Sequence, residues 1–376
     1  MKKAAYDMLY LSACAVNGIR PDTERVSAID LEKLFQMCQF HSLTATVCTA
    51  LESAGISDKK FIEAKSKAIR KNILLDAERE KIFDFLKHNK IWYMPLKGVI
   101  LKELYPKIGM RQMADNDILY DKSYQKKVFE FMKNCGYTAE SVGISHHDSY
   151  LKPPIYNFEM HTELFPKANN EKFYSYYSEI KKRLVRDNKN KYIVHFTDED
   201  FYIYMTAHEH KHYDNSGTGL RSLLDCFVFV KEKGKSLDWD YITEQTGILG
   251  ITDFEQKSRK LSTKIFTNPD CKLLSDDEIE MLEFYLFSGT YGTMKNAVNK
   301  RFKVFTEQTG STSKFGYILH RIFPPMEHYR KYFPFFYQHK ILLPIGWVFR
   351  MVRGVTVQRK HIKNELHFLN HSDSSE

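Results

Sequence analysis

Long apolar runs are missing from this 376-residue chain: the longest uninterrupted one, 341–349, falls far short of the ~18 residues a membrane-spanning helix needs. Cys-x-x-Cys pairs are missing too. Six cysteines, Cys14, Cys38, Cys48, Cys135, Cys226 and Cys271, are scattered along the chain, which fits free thiols in a reducing compartment better than a disulfide framework. The first 22 residues carry two lysines and a moderately apolar segment. Asp7 interrupts that segment and its spacing is helical, so it reads as a helix and not as a secretion signal. A cytoplasmic location is the expectation. Acidic residues are scarce in one place. Between 295 and 364, 14 Lys/Arg stand against Glu307 and Glu327 alone, a local +12 that leaves the rest of the chain at −3 within its net charge of +9.

What is present points to a folded protein. Aromatics at 14% and hydrophobics at 43% exclude a disordered chain, and the length suffices for two or three modules around a sizeable core. Residues 1–89 read as a helical region. Leu9, Leu11, Leu31, Leu34, Phe35 and Cys38 recur at three- and four-residue spacings, as do Leu75, Ile82, Phe83 and Leu86, and Asp30 is placed to cap the helix that begins at Leu31. This region reads as a subdomain packed on the rest or, alternatively, as a partner-binding surface.

The chemistry concentrates in 96–121, LKGVILKELYPKIGMRQMADNDILYD. The run 91–96 predicts a strand, Gly98 opens a short helix, and the helix stops at Tyr105-Pro106 because the residue before proline leaves α space. A strand–glycine–helix junction turns backbone N–H groups toward an anion. Asp115 and Asp117 precede Ile118 and Leu119, which predicts a strand with both carboxylates on one face. Two such carboxylates repel unless a cation lies between them, and hard oxygen ligands suit Mg²⁺ or Mn²⁺. Lys97 and Arg111 bracket the pair with positive charge that suits a phosphate chain.

Further on, 123–136 reads as an amphipathic helix with Tyr124, Val128, Met132 and Cys135 inward and Gly136 as its stop, and 137–142 as a strand. Ser145-His146-His147-Asp148 reads as a polar turn and Pro153-Pro154 as a loop. The segment 155–165 alternates: Glu159, His161 and Glu163 share one face, Phe158, Met160, Thr162 and Leu164 the other. A metal site built on an aspartate pair wants a third carboxylate, to complete coordination or to accept a proton. Glu159 and Glu163 are both candidates, and a solvated strand face is the alternative.

The ordered set Leu96-Lys97-Gly98, Tyr105-Pro106, Arg111 and Asp115-Asn116-Asp117 resembles the bacterial nucleotidyltransferase family of the DNA-polymerase-beta-like superfamily. The resemblance extends to Glu159-Met160-His161, an acidic residue followed two positions on by histidine, and to Arg221, Asp225 and Trp239. It implies an α+β fold with a small mixed-sheet core at 90–166, flanked by helical regions. It implies Asp115, Asp117 and Glu159 as metal-holding and catalytic residues, with Glu163 as the fallback, and Lys97, Gly98, Arg111 and His161 as residues that hold the nucleotide. Mg²⁺ or Mn²⁺ is the implied cofactor and an NTP the donor, while the acceptor (small molecule, protein or RNA) and the oligomeric state stay open. Asn116, where the family usually carries an apolar residue, keeps open a catalytically inactive member that binds a nucleotide or a partner.

Residues 167–294 read as a helical domain closing over the sheet, and 295–376 as a basic, aromatic-rich region. Mixed aromatic and basic residues in 295–364 fit arginines lying over a core, a membrane surface or acidic partner, or nucleic acid. One rival motif stands inside the helical domain. His208-Glu209-x-x-His212 matches the zinc-hydrolase pattern, in which His208 and His212 would share a helix face and Glu209 would act as base. His210 and Lys211 lie between the histidines and no clear third ligand follows, so this reading ranks behind transfer.

Overall fold

In the computed structural model, which describes residues 1–143, 145–167, 170–356 and 359–370, the chain divides into two compact units. The first comprises Met1–His210 and Gly219–Thr290, the second Lys211–Thr218 and Tyr291–Glu376.

The first unit begins with five helices: α1 (Lys2–Asn17), α2 (Thr23–Ser27), α3 (Leu31–His41), α4 (Thr44–Ser53) and α5 (Lys59–His88). Asp22, Asp30 and Asp58 cap α2, α3 and α5 by accepting the N–H of Arg25, Lys33 and Phe61, which satisfies donors with no partner inside the helix. Five strands then form a mixed sheet: β1 (Tyr93–Pro95), β2 (Asn116–Tyr120), β3 (Thr138–Ser141), β4 (His147–Lys152) and β5 (Tyr156–His161), in the order β1-β2-β5-β4-β3. β2 and β5 run parallel at its centre and the other pairings are antiparallel. Between β1 and β2 lies the short α6 (Gly98–Leu101), and between β2 and β3 lies α7 (Gln125–Asn134). The expected α+β architecture is therefore the observed one.

Strand alternation decides which face each side chain of β2 meets. Asn116, Ile118 and Tyr120 point toward a core shared with Phe158 and Met160 of β5, Ile82, Phe83 and Leu86 of α5, and Val128 and Met132 of α7. Asp117 and Leu119 point to the other face. There Leu119 joins the core that contains Phe173, Phe201, Tyr204 and Phe229, carried by α8 (Glu171–Ser178), α9 (Asp198–Asn215) and α10 (Leu220–Lys233). α11 (Trp239–Leu249), α12 (Thr252–Thr267) and α13 (Asp276–Ser288) complete the unit.

Three local expectations are corrected. The strand at 155–165 ends at His161 because the N–H groups of Thr162 and Glu163 both donate to the His146 carbonyl, at 2.9 and 3.2 Å, and turn the chain. Glu163 is consequently off the strand and pairs with Lys122 at 2.8 Å. The turn expected at 145–148 already enters β4 at His147. Asp148 there is a buried anchor, accepting from the Gln125 amide at 3.0 Å and the Gly143 N–H at 2.8 Å. A small antiparallel pair, β6 (Val185–Arg186) and β7 (Val194–His195), lies within the region read as a helical domain.

The second unit holds α14 (Met294–Thr309), α15 (Lys314–Ile322), α16 (Met326–Tyr332), α17 (Pro334–Gln338), α18 (Leu343–Thr356) and α19 (Arg359–Asn370). Val298, Phe305, Tyr317 and Leu369 form its core. Glu365 gathers Arg301, Arg321 and the Tyr317 hydroxyl within 2.8–3.1 Å, so part of the basic character is neutralised internally. Among the described residues no helix is long and apolar enough to cross a membrane.

Candidate metal and nucleotide site

The site forms where the turn after β1 meets the start of β2 and the end of β5. The Leu96 N–H donates to the Asp117 carbonyl at 3.0 Å, tying the turn to β2. Lys97 follows with φ 44° and ψ −112°. Positive φ in a residue with a Cβ is a strained conformation that persists only where the surroundings impose it. Gly98 is a glycine for steric reasons, since a Cβ there would lie 2.5 Å from Arg111 Nη1 and 3.1 Å from the Met113 side chain.

The arginine against Gly98 is itself held. Arg111 Nε donates to Asp225 Oδ1 at 2.8 Å and Nη2 to Asp225 Oδ2 at 2.9 Å, a two-pronged pair that the Tyr105 hydroxyl joins at 2.8 Å from Oδ1. Burial would pull the guanidinium down, but Asp225 outweighs it and holds the Arg111 pKa above the usual value. Arg111, expected on a triphosphate, makes this pair with α10 while its Nη1 lies against Gly98.

Parallel pairing puts Asp117 of β2 in register with Glu159 of β5. Lys97 Nζ lies 3.2 Å from Asp117 Oδ1, and His161 Nε2 lies 2.8 Å from the same oxygen and 3.5 Å from Glu159 Oε2. Asp117, Glu159 and His161 each offer a ligand atom within 4.8 Å of the others. Burial acts to raise the Asp117 carboxyl, yet the Lys97 ammonium and the His161 hydrogen bond hold it far below the usual carboxylate range. Asp115 goes the other way. Burial and then the Asp117 charge push it up to about 6, against the opposing pull of Lys97. Lys97 is raised above an ordinary lysine because Asp117, Tyr204, Asp115 and Glu159 together outweigh its burial. The cluster therefore drives two neighbouring acids apart, one up and one down, and its carboxylate oxygens suit a divalent ion.

Asn116 sits between the two aspartates and faces the opposite side. Its carbonyl accepts from Arg79 Nη1 of α5 at 3.0 Å, and that guanidinium also pairs with Asp76 at 2.8 Å. The amide is buried and satisfied, so the departure from an apolar residue leaves the strand intact. In the rival motif the base candidate is a buried, hydrogen-bonded acid. Glu209 is buried, accepts from the Tyr285 hydroxyl at 2.6 Å, and is pushed up to about 7, chiefly by burial. Among the described residues, neither group of three ligating side chains includes His208 or His212.

Some residues of the site were not assigned to it from sequence. His147 stands opposite His161 in the β4–β5 register, with Nε2 3.8 Å from Glu159 Oε2, and burial holds it below the usual histidine range. Arg221, one helical turn before Asp225, and Lys71 of α5 both lie near enough to Asp115 to share its field. A basic residue at 221 was visible, but only the placement of α10 brings it to the aspartates.

No curated protein and no solved structure matches this chain. The model of a family described as uncharacterised nucleotidyltransferases matches residues 27–267, a span that holds Lys97, Asp115, Asp117, Glu159, His161 and the Arg111–Asp225 clamp. Covering more than half of the chain, that match makes this protein a member of the nucleotidyltransferase family.

Proposed function

We propose that the protein moves a nucleoside monophosphate from an NTP to an acceptor hydroxyl or amine, using a divalent cation held by Asp115, Asp117 and Glu159. The observation that supports this reading is the in-register apposition of Asp117 and Glu159 beside Lys97, with an acid at 115 pushed up to about 6 next to them. The donor set is mainly carboxylate, which fits Mg²⁺ or Mn²⁺. Such an ion, when bound, supplies neutralisation of the triphosphate and of the charge that develops on the leaving oxygen.

The chain's own residues do the rest. His161 Nε2 donates to Asp117 and orients its carboxylate. Lys97, at the strained turn against Gly98, attracts the phosphates by charge, and Arg111 acts through Gly98 by holding that turn in shape. Glu159 accepts the proton of the acceptor as the new bond to the α-phosphorus forms. The bond from that phosphorus to the bridging oxygen breaks, and pyrophosphate leaves with the electron pair. Catalysis on this reading is in-line positioning and electrostatic compensation. The satisfied Asn116 gives no reason to place the protein among inactive members.

The test is thermal stabilisation by each of the four NTPs with Mg²⁺ or Mn²⁺, in wild type and in an Asp115→Ala/Asp117→Ala variant. Stabilisation that needs the metal in wild type and is lost in a variant that still melts cooperatively is expected. NTP stabilisation that persists in the variant or in chelator would overturn the assignment.

A further inference from the structure

Beside the carboxylates, the same sheet face carries three imidazoles. His147 is the cross-strand partner of His161, and the His146 carbonyl is pinned to the end of β5 by the Thr162 N–H at 2.9 Å. The ring centroids of His146, His147 and His161 lie 4.5, 5.0 and 5.6 Å apart. One ligand atom from each falls within 4.8 Å of the other two. His161 is only 2% exposed, and its Nδ1 has no hydrogen-bond partner among the described residues. Its other nitrogen is committed. Nε2 lies 2.8 Å from Asp117 Oδ1, within hydrogen-bond reach of the carboxylate. A histidine whose one N–H is held by a carboxylate while the other nitrogen stays open is the arrangement that orients imidazole for a metal.

We propose that His146, His147 and His161 form a second cation site, nitrogen-rich and selective for a borderline transition metal of the zinc class, distinct from the oxygen-ligated site of the transfer reaction. Imidazole nitrogen favours Zn²⁺, Co²⁺ or Ni²⁺ over Mg²⁺, so one sheet face sorts two classes of ion by ligand chemistry. Three histidines leave a fourth position for water. On binding, any proton on Nδ1 of His161 is released to solvent in exchange for the cation. The two sites meet at His161, whose Nε2 is held 2.8 Å from Asp117 Oδ1. The proposal needs no NTP chemistry and stands whether or not the transfer reading holds.

Titration of the untagged, full-length protein with Zn²⁺ alone, and with Co²⁺ as a coloured substitute, tests it. One zinc per chain is expected, with visible Co²⁺ bands of a low-coordinate nitrogen site. His146→Gln and His147→Gln should each weaken zinc binding by more than about 100-fold, beyond the roughly 10–100-fold that loss of a partner behind a ligand brings. Asp115→Asn should leave zinc affinity within about threefold while abolishing the Mn²⁺ response. The Co²⁺ spectrum is read on wild type, so a poorly folding variant does not decide the matter. Absence of stoichiometric zinc, an octahedral Co²⁺ spectrum, or zinc binding lost in Asp115→Asn but kept in both histidine variants would each overturn the site. Failure of the transfer reading would show separately, as NTP stabilisation indifferent to the aspartates.

Discussion

Two buried charge clusters in the first unit have opposite character. In the clamp of Arg111, Asp225 and Tyr105, one guanidinium meets one carboxylate through two parallel hydrogen bonds, and a neutral hydroxyl takes a further lone pair. Charge balances and geometry is closed. In the cluster around Asp117, one acid is pushed up to about 6 while its neighbour is held far down, and the lysine paired with that neighbour sits on a strained backbone. A closed pair needs nothing more from outside. A cluster that pushes neighbouring acids apart and strains its own backbone stays costly until a ligand arrives, which is the mark of a site as opposed to a brace.

The largest effect of a single substitution belongs to the brace. Asp225→Ala leaves a buried guanidinium without its partner, and denaturant unfolding should show a loss of about 3–5 kcal/mol. A loss below ~1 kcal/mol would mean that Arg111 finds another anion and is free to serve as a phosphate contact after all.

Glu209 sharpens the contrast, being a buried acid that accepts from a neutral tyrosine hydroxyl. Its carboxyl rises from 4.5 to about 7 in the fold, so its stabilising contribution is fully present below its unfolded value and is lost as pH rises through about 7. Glu209→Gln should remove this slope between pH 5 and 8 and leave the variant more stable at pH 8 by up to about 3 kcal/mol. Parallel stability–pH curves for wild type and variant would contradict the assignment.

The smallest effect carries the opposite sign to the brace. Asp115 has its folded value raised from 3.8 to about 6, so what stability its acid form contributes is present below 3.8 and lost on rising through about 6. Without metal, Asp115→Asn should therefore stabilise the protein at pH 8, by at most about 2 kcal/mol given the partial exposure of the group, with the gain gone by pH 4. Destabilisation at pH 8 would mean that Asp115 is as well paired as Asp225 and would erase the distinction between site and brace.

Much of this arrangement was legible in the residues. Asp115 and Asp117 before Ile118 and Leu119, and the alternation through Glu159 and His161, announce their strands and faces because side-chain direction in a strand has period two. Asp30 before Leu31 announces a cap because its carboxylate has a free N–H within reach. Other features had no local signal. Glu163 continues the alternation on paper, but the strand ends where the Thr162 and Glu163 N–H groups find the carbonyl of His146 on the neighbouring segment. His146 and His147 read as a polar turn because two imidazoles beside serine and aspartate carry no strand pattern, and only pairing with β5 makes His147 the neighbour of His161.

The sequence by itself determined the alphabet of the site: which carboxylates, which lysine, and on which strand faces, since those follow from bond geometry and short-range spacing. Tertiary structure alone decided the partners. That Arg111 is spent on Asp225, 114 positions away, that Asn116 is satisfied by Arg79, and that Asp117 and Glu159 share one register are long-range outcomes of packing. No local spacing encodes them, because a buried polar group takes whichever partner the assembled core brings within hydrogen-bond reach.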